Sequence, residues 1–167
     1  EEEETVARLN DIKNTNRPAV YAEYLQAKDS FVREASFYFD AAQLFFEKGD
    51  TATGLRILSN LAELDNENHQ LLRAMGYVLE HWKLYKQAIE AYQKVLAIKE
   101  EEPQSYRDLA LAYEKAGNHQ MAVDLLYKVV TKNFYQYETR YRGIKSLMLN
   151  EMNAIISAHP GQVDLAG

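Results

Sequence analysis

The four histidines are the side chains of this sequence best suited to binding a metal ion or transferring a proton. They are His69, His81, His119 and His159. No two of them have the HExxH spacing that places two imidazoles on one helix face. Glu80 and His81 are adjacent, so on a helix their side chains diverge by about 100°. The expected roles are therefore packing or surface exposure, and the sequence predicts no catalytic residue, no metal site and no cofactor.

Other sources of chemistry are equally weak in this sequence. The acidic runs at 1–4 and 100–102 are interpreted as solvated charge rather than calcium ligands. No glycine-rich phosphate loop and no ordered Ser/His/Asp set stands out, so the sequence predicts that the protein is not an enzyme. The net charge of −6 argues against general nucleic-acid binding. No apolar run approaches the roughly 18 residues of a membrane span, so membrane insertion is not expected.

The strongest pattern is a repeat with a period of 34 residues. Tyr106, Leu109, Ala110, Tyr113 and Ala122 correspond to Leu72, Met75, Gly76, Leu79 and Ala88 one period earlier, and to Tyr38, Ala41, Ala42, Phe45 and Gly54 two periods earlier. The first four positions of each set share one helix face, and the fifth is a small residue on a second helix. Gly49 and Gly117 fall where the first helix should end, whereas Lys83 takes that place in the middle unit. The sequence therefore predicts three helix pairs at 35–68, 69–102 and 103–136.

The pattern resembles the tetratricopeptide repeat family, most clearly in "SYRDLALAYEKAGNHQMAVDLLYKVV". The resemblance implies an all-α, right-handed α-solenoid of three such pairs within a helical domain at 17–158. Residues 17–30 match the second half of a repeat and are expected to form a lone N-terminal helix. Residues 137–158 are expected to form a capping helix that Pro160-Gly161 ends. Residues 1–16 are expected to be extended or disordered, and residues 159–167 to be a linker or tail.

The whole chain also looks like the repeat region of large multidomain bacterial proteins, chiefly from Bacteroidetes, in which a β-rich domain of unknown function follows. "LRILSNLAELDNENHQLLR" and "LNEMNAIISAH" carry this looser resemblance. It implies a cell-envelope or extracytoplasmic setting, and a cytoplasmic one stays open.

The resemblance also implies where a partner would bind, because several first-helix positions line the concave groove of such arrays. The predicted groove residues are Phe39, Gln43, Phe46, Arg73, Tyr77, Arg107 and Leu111. Aromatic and arginine side chains dominate many recognition surfaces. Two interpretations of Arg73 and Arg107 stay open: they contact an extended acidic or C-terminal segment of a partner, or they pair with scaffold carboxylates such as Asp40 or Asp108. The lysine and asparagine positions of the chaperone carboxylate clamp do not match.

The sequence therefore favours a non-catalytic protein–protein interaction or scaffold module. Its expected ligand is a peptide segment or a neighbouring domain of the same chain, bound in the concave groove. The alternative is a purely structural spacer within a larger envelope protein, in which the chain's own helix or a neighbouring domain fills the groove.

Overall fold

All regular structure in the described part of the chain is α-helical. A computed structural model describes residues 35–132 and 138–165, of which 138–142 are described by their backbone alone. The helices are α1 Ala35–Glu47, α2 Thr51–Leu64, α3 His69–His81, α4 Tyr85–Ile98, α5 Pro103–Lys115, α6 His119–Thr131 and α7 Glu138–Ala158. The prediction of an all-α repeat fold is confirmed. The predicted segment 1–16 and the predicted helix 17–30 lie outside the described residues.

The turn inside each helix pair uses one backbone geometry three times. Gly49, Lys83 and Gly117 all have positive φ, at 80°, 59° and 87°. The amide after each one donates to the carbonyl five residues earlier, as in Asp50 N to Phe45 O at 2.8 Å. This is the glycine-type helix C-cap expected at these positions. Lys83 has a Cβ, so its left-handed conformation is strained, and the middle turn is less favourable than the two glycine turns.

The residue after each turn begins the second helix of the pair. Asp50 accepts a hydrogen bond from the Thr53 amide at 3.2 Å, which caps α2. Asn118 accepts from the Met121 amide at 3.2 Å and caps α6 in the same way. Leu84 stands at this place before α4 and makes no side-chain cap. The middle pair thus lacks both the turn glycine and the polar cap of its neighbours.

The chain forms two compact units, Glu1–Leu71 and Leu72–Gly167. In the described part of the first unit, α1 packs on α2. Its fully buried side chains include Phe37, Tyr38, Phe45 and Ile57. Burying apolar side chains of this size contributes about 1.5–3 kcal/mol each, which makes this face the main source of the pair's stability.

In the second unit α4 packs on α5, α5 on α6 and α6 on α7. Helix α7 also makes a smaller contact with α5. Its Met148, Met152 and Ile155 are buried and follow one another at helical spacing. Helix α7 ends at Ala158, and Gly161 follows with φ of 78°. None of the described helices combines the length and apolar composition needed to cross a membrane.

Candidate functional site

The predicted groove residues of the first unit have different environments. Phe39 and Gln43 are partly exposed on α1. Phe46 is buried, with an exposed fraction of 6%. A Cβ placed on Gly54 would come within 3.0 Å of three atoms of the Phe46 ring. Phe46 therefore packs between α1 and α2 instead of lining an open groove, because Gly54 leaves room for its ring.

Arg73 of α3 lies in the second unit, where acidic and polar side chains of the same unit bind its guanidinium. Its Nη2 donates to Glu102 Oε2 at 3.0 Å and to Ser105 Oγ at 3.2 Å. Its Nε lies 3.4 Å from Asp108 Oδ2. Ser105 and Asp108 are both buried. The guanidinium therefore connects the first half of α3 to the first turns of α5, as expected if Arg73 pairs with carboxylates of the scaffold.

Asp108 is the centre of this polar network. The Tyr77 hydroxyl donates to Asp108 Oδ2 at 3.1 Å, and Gln104 Nε2 donates to Oδ1 at 2.7 Å. Burial raises the pKa of the Asp108 carboxyl above its ordinary value of 3.8, while the hydrogen bonds from Gln104 and Tyr77 and the charge of Arg73 oppose that rise. The hydroxyl of Tyr77 is thus fixed, although 47% of this residue is exposed.

Arg107 of α5 also has a scaffold partner. Its Nε and Nη2 donate to the two oxygens of Glu151 on α7, at 3.0, 3.2 and 2.7 Å. The hydrogen bond to Glu151 raises the pKa of Arg107 further above its already high ordinary value. Such fork-to-fork pairing fixes both side chains. Leu111, one turn further along α5, is partly exposed.

A cleft of about 320 Å³ opens beside the Arg107–Glu151 pair. It is lined by Glu102, Pro103, Gln104 and Arg107 from the start of α5, and by Ile144, Leu147 and Met148 from α7. Leu147 is 43% exposed at its wall. Gln104 lines this cleft and also donates to Asp108, which accepts a hydrogen bond from Tyr77, so hydrogen bonds connect the wall of the cleft to the Tyr77 hydroxyl. We name this surface, formed by Tyr77, Gln104, Arg107 and Leu147, the α5–α7 face.

The buried Asp108 carboxyl predicts a specific pH dependence. Its pKa is raised on folding, so the folded protein binds this proton more tightly than the unfolded chain does. The stability that the proton contributes is fully present below pH 3.8 and is lost as pH rises through the folded-state pKa. Relative to Asp108→Asn, the wild type should therefore gain stability as pH is lowered from about 7 to about 4. Urea unfolding of both proteins at several pH values measures this difference; a constant difference would contradict it.

The structure brings together three residues that sequence reasoning kept apart. Glu114 lies in the last turn of α5, His119 begins α6 and His159 follows α7. Nδ1 of His119 lies 2.5 Å from Glu114 Oε2, and Nε2 of His159 lies 3.2 Å from Glu114 Oε1. The sequence predicted packing or surface roles for His119 and His159 and did not place them beside one carboxylate. No sequence signal could have joined them, because His159 lies 45 residues beyond Glu114.

Comparison with known proteins identifies one repeat directly. Residues 71–102 match the family model described as "Tetratricopeptide repeat". No curated protein sequence matches the chain. Repeats of this family generally mediate protein–protein interaction and are typically non-catalytic.

Several solved structures are similar to this chain at low identity. A structure titled "Crystal structure of MamA" is 14% identical, covers 83% of this chain and 85% of its own, and has a TM-score of 0.48. A second, "Crystal structure of MamA protein", is 17% identical, covers 93% and 92%, and has a TM-score of 0.46. "Crystal structure of YrrB: a TPR protein with an unusual peptide-binding site" is 19% identical, covers 83% and 74%, and has a TM-score of 0.44.

Proposed function

Because residues 71–102 match the tetratricopeptide repeat, we propose that this chain is a non-catalytic interaction module that binds an extended segment of a partner protein on the α5–α7 face. The observation that carries this proposal is the cleft of about 320 Å³ beside Arg107. It combines apolar walls with fixed polar groups at its edge, which is the usual composition of a ligand pocket.

The cleft can accept one apolar side chain of a partner segment. Ile144, Leu147 and Met148 form one wall, and Pro103 stands among the residues of the opposite wall. An aliphatic or aromatic residue placed there would remove the exposed part of Leu147 from water, at about 25 cal/mol per Å² of apolar area. Tyr77 offers a second exposed apolar surface whose hydroxyl is already fixed. Fixed aromatic groups suit recognition, because little side-chain entropy is lost on binding.

The charges on this face favour a neutral or basic segment. Arg73 is paired with Glu102, and Arg107 is paired with Glu151. Asp108 is a third carboxylate on this face, and its Oδ2 lies 3.4 Å from Arg73 Nε. An acidic partner would have to compete with these scaffold carboxylates for both guanidiniums. Of the two interpretations of the arginines, we therefore favour the one in which they position the α5–α7 face rather than bind an acidic ligand.

Leu147 and Leu149 provide a matched test of this proposal. They lie on the same helix and are 43% and 44% exposed, but only Leu147 lines the cleft. Peptides are first selected on the wild-type chain from a display library of random linear sequences. Leu147→Glu should weaken their binding at least tenfold, which corresponds to about 1.4 kcal/mol, whereas Leu149→Glu should leave it unchanged. Fluorescence anisotropy with labelled peptides measures both affinities.

The outcome also separates this proposal from the spacer alternative. Selected peptides should be enriched in an apolar residue next to neutral or basic ones. Equal binding to the two variants would place the ligand elsewhere and overturn the proposed face. A selection that yields no specific peptide would favour a structural spacer, in which an adjacent domain of a larger envelope protein covers this surface.

A further inference from the structure

The side chains of Glu114, His119 and His159 form a compact group, which we call the Glu114 cluster. All their ligand atoms lie within 4.8 Å of one another. Each oxygen of Glu114 faces a nitrogen of a different imidazole. The two imidazole rings stack with centroids 3.4 Å apart and planes 14° apart. The three side chains are part-buried, so their positions depend on the surrounding helices and they remain reachable from solvent.

Three different elements hold the cluster in place. The left-handed turn at Gly117 brings the start of α6 back beside the end of α5, which places His119 next to Glu114. His159 comes from the segment after α7. That segment is fastened to α6, because Gln120 donates to the Asp164 carbonyl at 3.2 Å and accepts from the Asp164 amide at 2.6 Å. The turn at Gly117 therefore positions Glu114 and His119, and the Gln120–Asp164 hydrogen bonds hold the segment that carries His159.

We propose that Glu114, His119 and His159 bind a divalent transition-metal ion such as Zn²⁺. Two imidazole nitrogens and one carboxylate oxygen are a known zinc ligand set, and water can complete the coordination. The proposal is independent of the peptide-binding proposal, since none of the three residues lines the α5–α7 cleft.

The distances require only local adjustment. Ligand atoms of a tetrahedral zinc site lie about 3.3 Å apart when the bonds are about 2.0 Å long. The separation of 3.2 Å between His159 Nε2 and Glu114 Oε1 already fits that value. The separation of 2.5 Å between His119 Nδ1 and Glu114 Oε2 must lengthen. One imidazole must also tilt out of the stack, because a metal lies close to the plane of each ring that binds it. Both changes call for rotation of side chains that are part-buried rather than fully enclosed.

Binding of the ion would connect the end of the chain to the last helix pair. His159 follows α7 directly, and Glu114 and His119 flank the turn between α5 and α6. A shared ion would therefore crosslink the exit of α7 to that turn, in addition to the Gln120–Asp164 hydrogen bonds. Zinc should raise the melting temperature of the protein, because a ligand that binds only the folded state stabilises it.

Isothermal titration of the full 167-residue chain with ZnCl₂ tests the proposal. We expect one saturable site in the wild type. His119→Gln and His159→Gln should each weaken zinc binding at least about tenfold, since removal of even an outer-shell partner often costs that much. His81→Gln is the matched control, because His81 is exposed and lies outside the cluster, and it should bind as the wild type does.

Two further measurements make the result decisive. Circular dichroism of the zinc-free variants shows whether they fold, and Co²⁺ absorption in the visible range reports whether imidazole and carboxylate ligands surround the ion. Zinc binding that survives in both His119→Gln and His159→Gln would overturn the proposal. A wild type that shows neither saturable binding nor a zinc-dependent melting shift would also overturn it, and would leave the cluster as a hydrogen-bonded group alone.

Discussion

Removal of residues 137–167 should produce a protein that self-associates and melts at a lower temperature. Helix α7 buries Met148, Met152 and Ile155 against its neighbours. Their burial contributes about 1.5–3 kcal/mol each as an upper estimate, and the shortened chain would expose the surface they cover. We expect the melting temperature to fall by about 10 °C or more. Calorimetry and size-exclusion chromatography measure the two effects.

Point substitutions on α7 separate this packing from a general effect of shortening the chain. Met148 is 1% exposed, whereas its neighbour Leu149 is 44% exposed. Met148→Asp should cost more than about 3 kcal/mol, because it buries an unpaired charge. Leu149→Asp should cost less than about 1 kcal/mol. A monomeric truncation with an unchanged melting temperature, or equal effects of the two substitutions, would show that α7 does not cap the last helix pair.

Gly76→Ala should destabilise the protein, although alanine is the better helix former. A Cβ at Gly76 would come within 3.0 Å of three ring atoms of Tyr92, which is fully buried on α4. Overpacking of this kind costs about 1–3 kcal/mol, while the gain in helix propensity is about 1 kcal/mol. We expect a net loss of up to about 2 kcal/mol. Urea unfolding measures it.

Gly143→Ala is the matched control for this prediction. Gly143 is also helical, in α7, and no atom lies within 4 Å of the position of an added Cβ. Without the clash, the same substitution should stabilise the protein by about 0.5–1 kcal/mol. If both alanines stabilise the protein equally, Tyr92 does not pack against Gly76 as described, and the register of the middle helix pair is wrong.

The helix pairs were predictable because the same sizes of side chain recur every 34 residues. A small residue at a helix contact and a glycine at the turn have direct physical consequences, which explains the agreement at Gly49 and Gly117. Phe46 was not predictable in the same way. Its place in the core depends on the missing side chain of Gly54, a pairing across the helices that the one-helix pattern does not contain.

The polar groups of the candidate site depend on residues far apart in the chain. Arg107 meets Glu151 across 44 residues, and Arg73 meets Glu102 across 29. The sequence left both arginines with two interpretations, because either a partner or the scaffold could supply the carboxylate. The Glu114 cluster was missed for the same reason. Its histidines have no mutual spacing on one helix, and the path of the chain after α7 brings them together.

Amide hydrogen exchange of the full chain, with and without a saturating peptide from the display selection, tests the central proposal most directly. Binding on the α5–α7 face predicts slower exchange in α7 around Ile144–Met148 and in the first turns of α5, with little change in α2, α4 and α6. Protection confined to α2, α4 or α6, with α5 and α7 unchanged, would contradict the proposal that the α5–α7 face binds the partner.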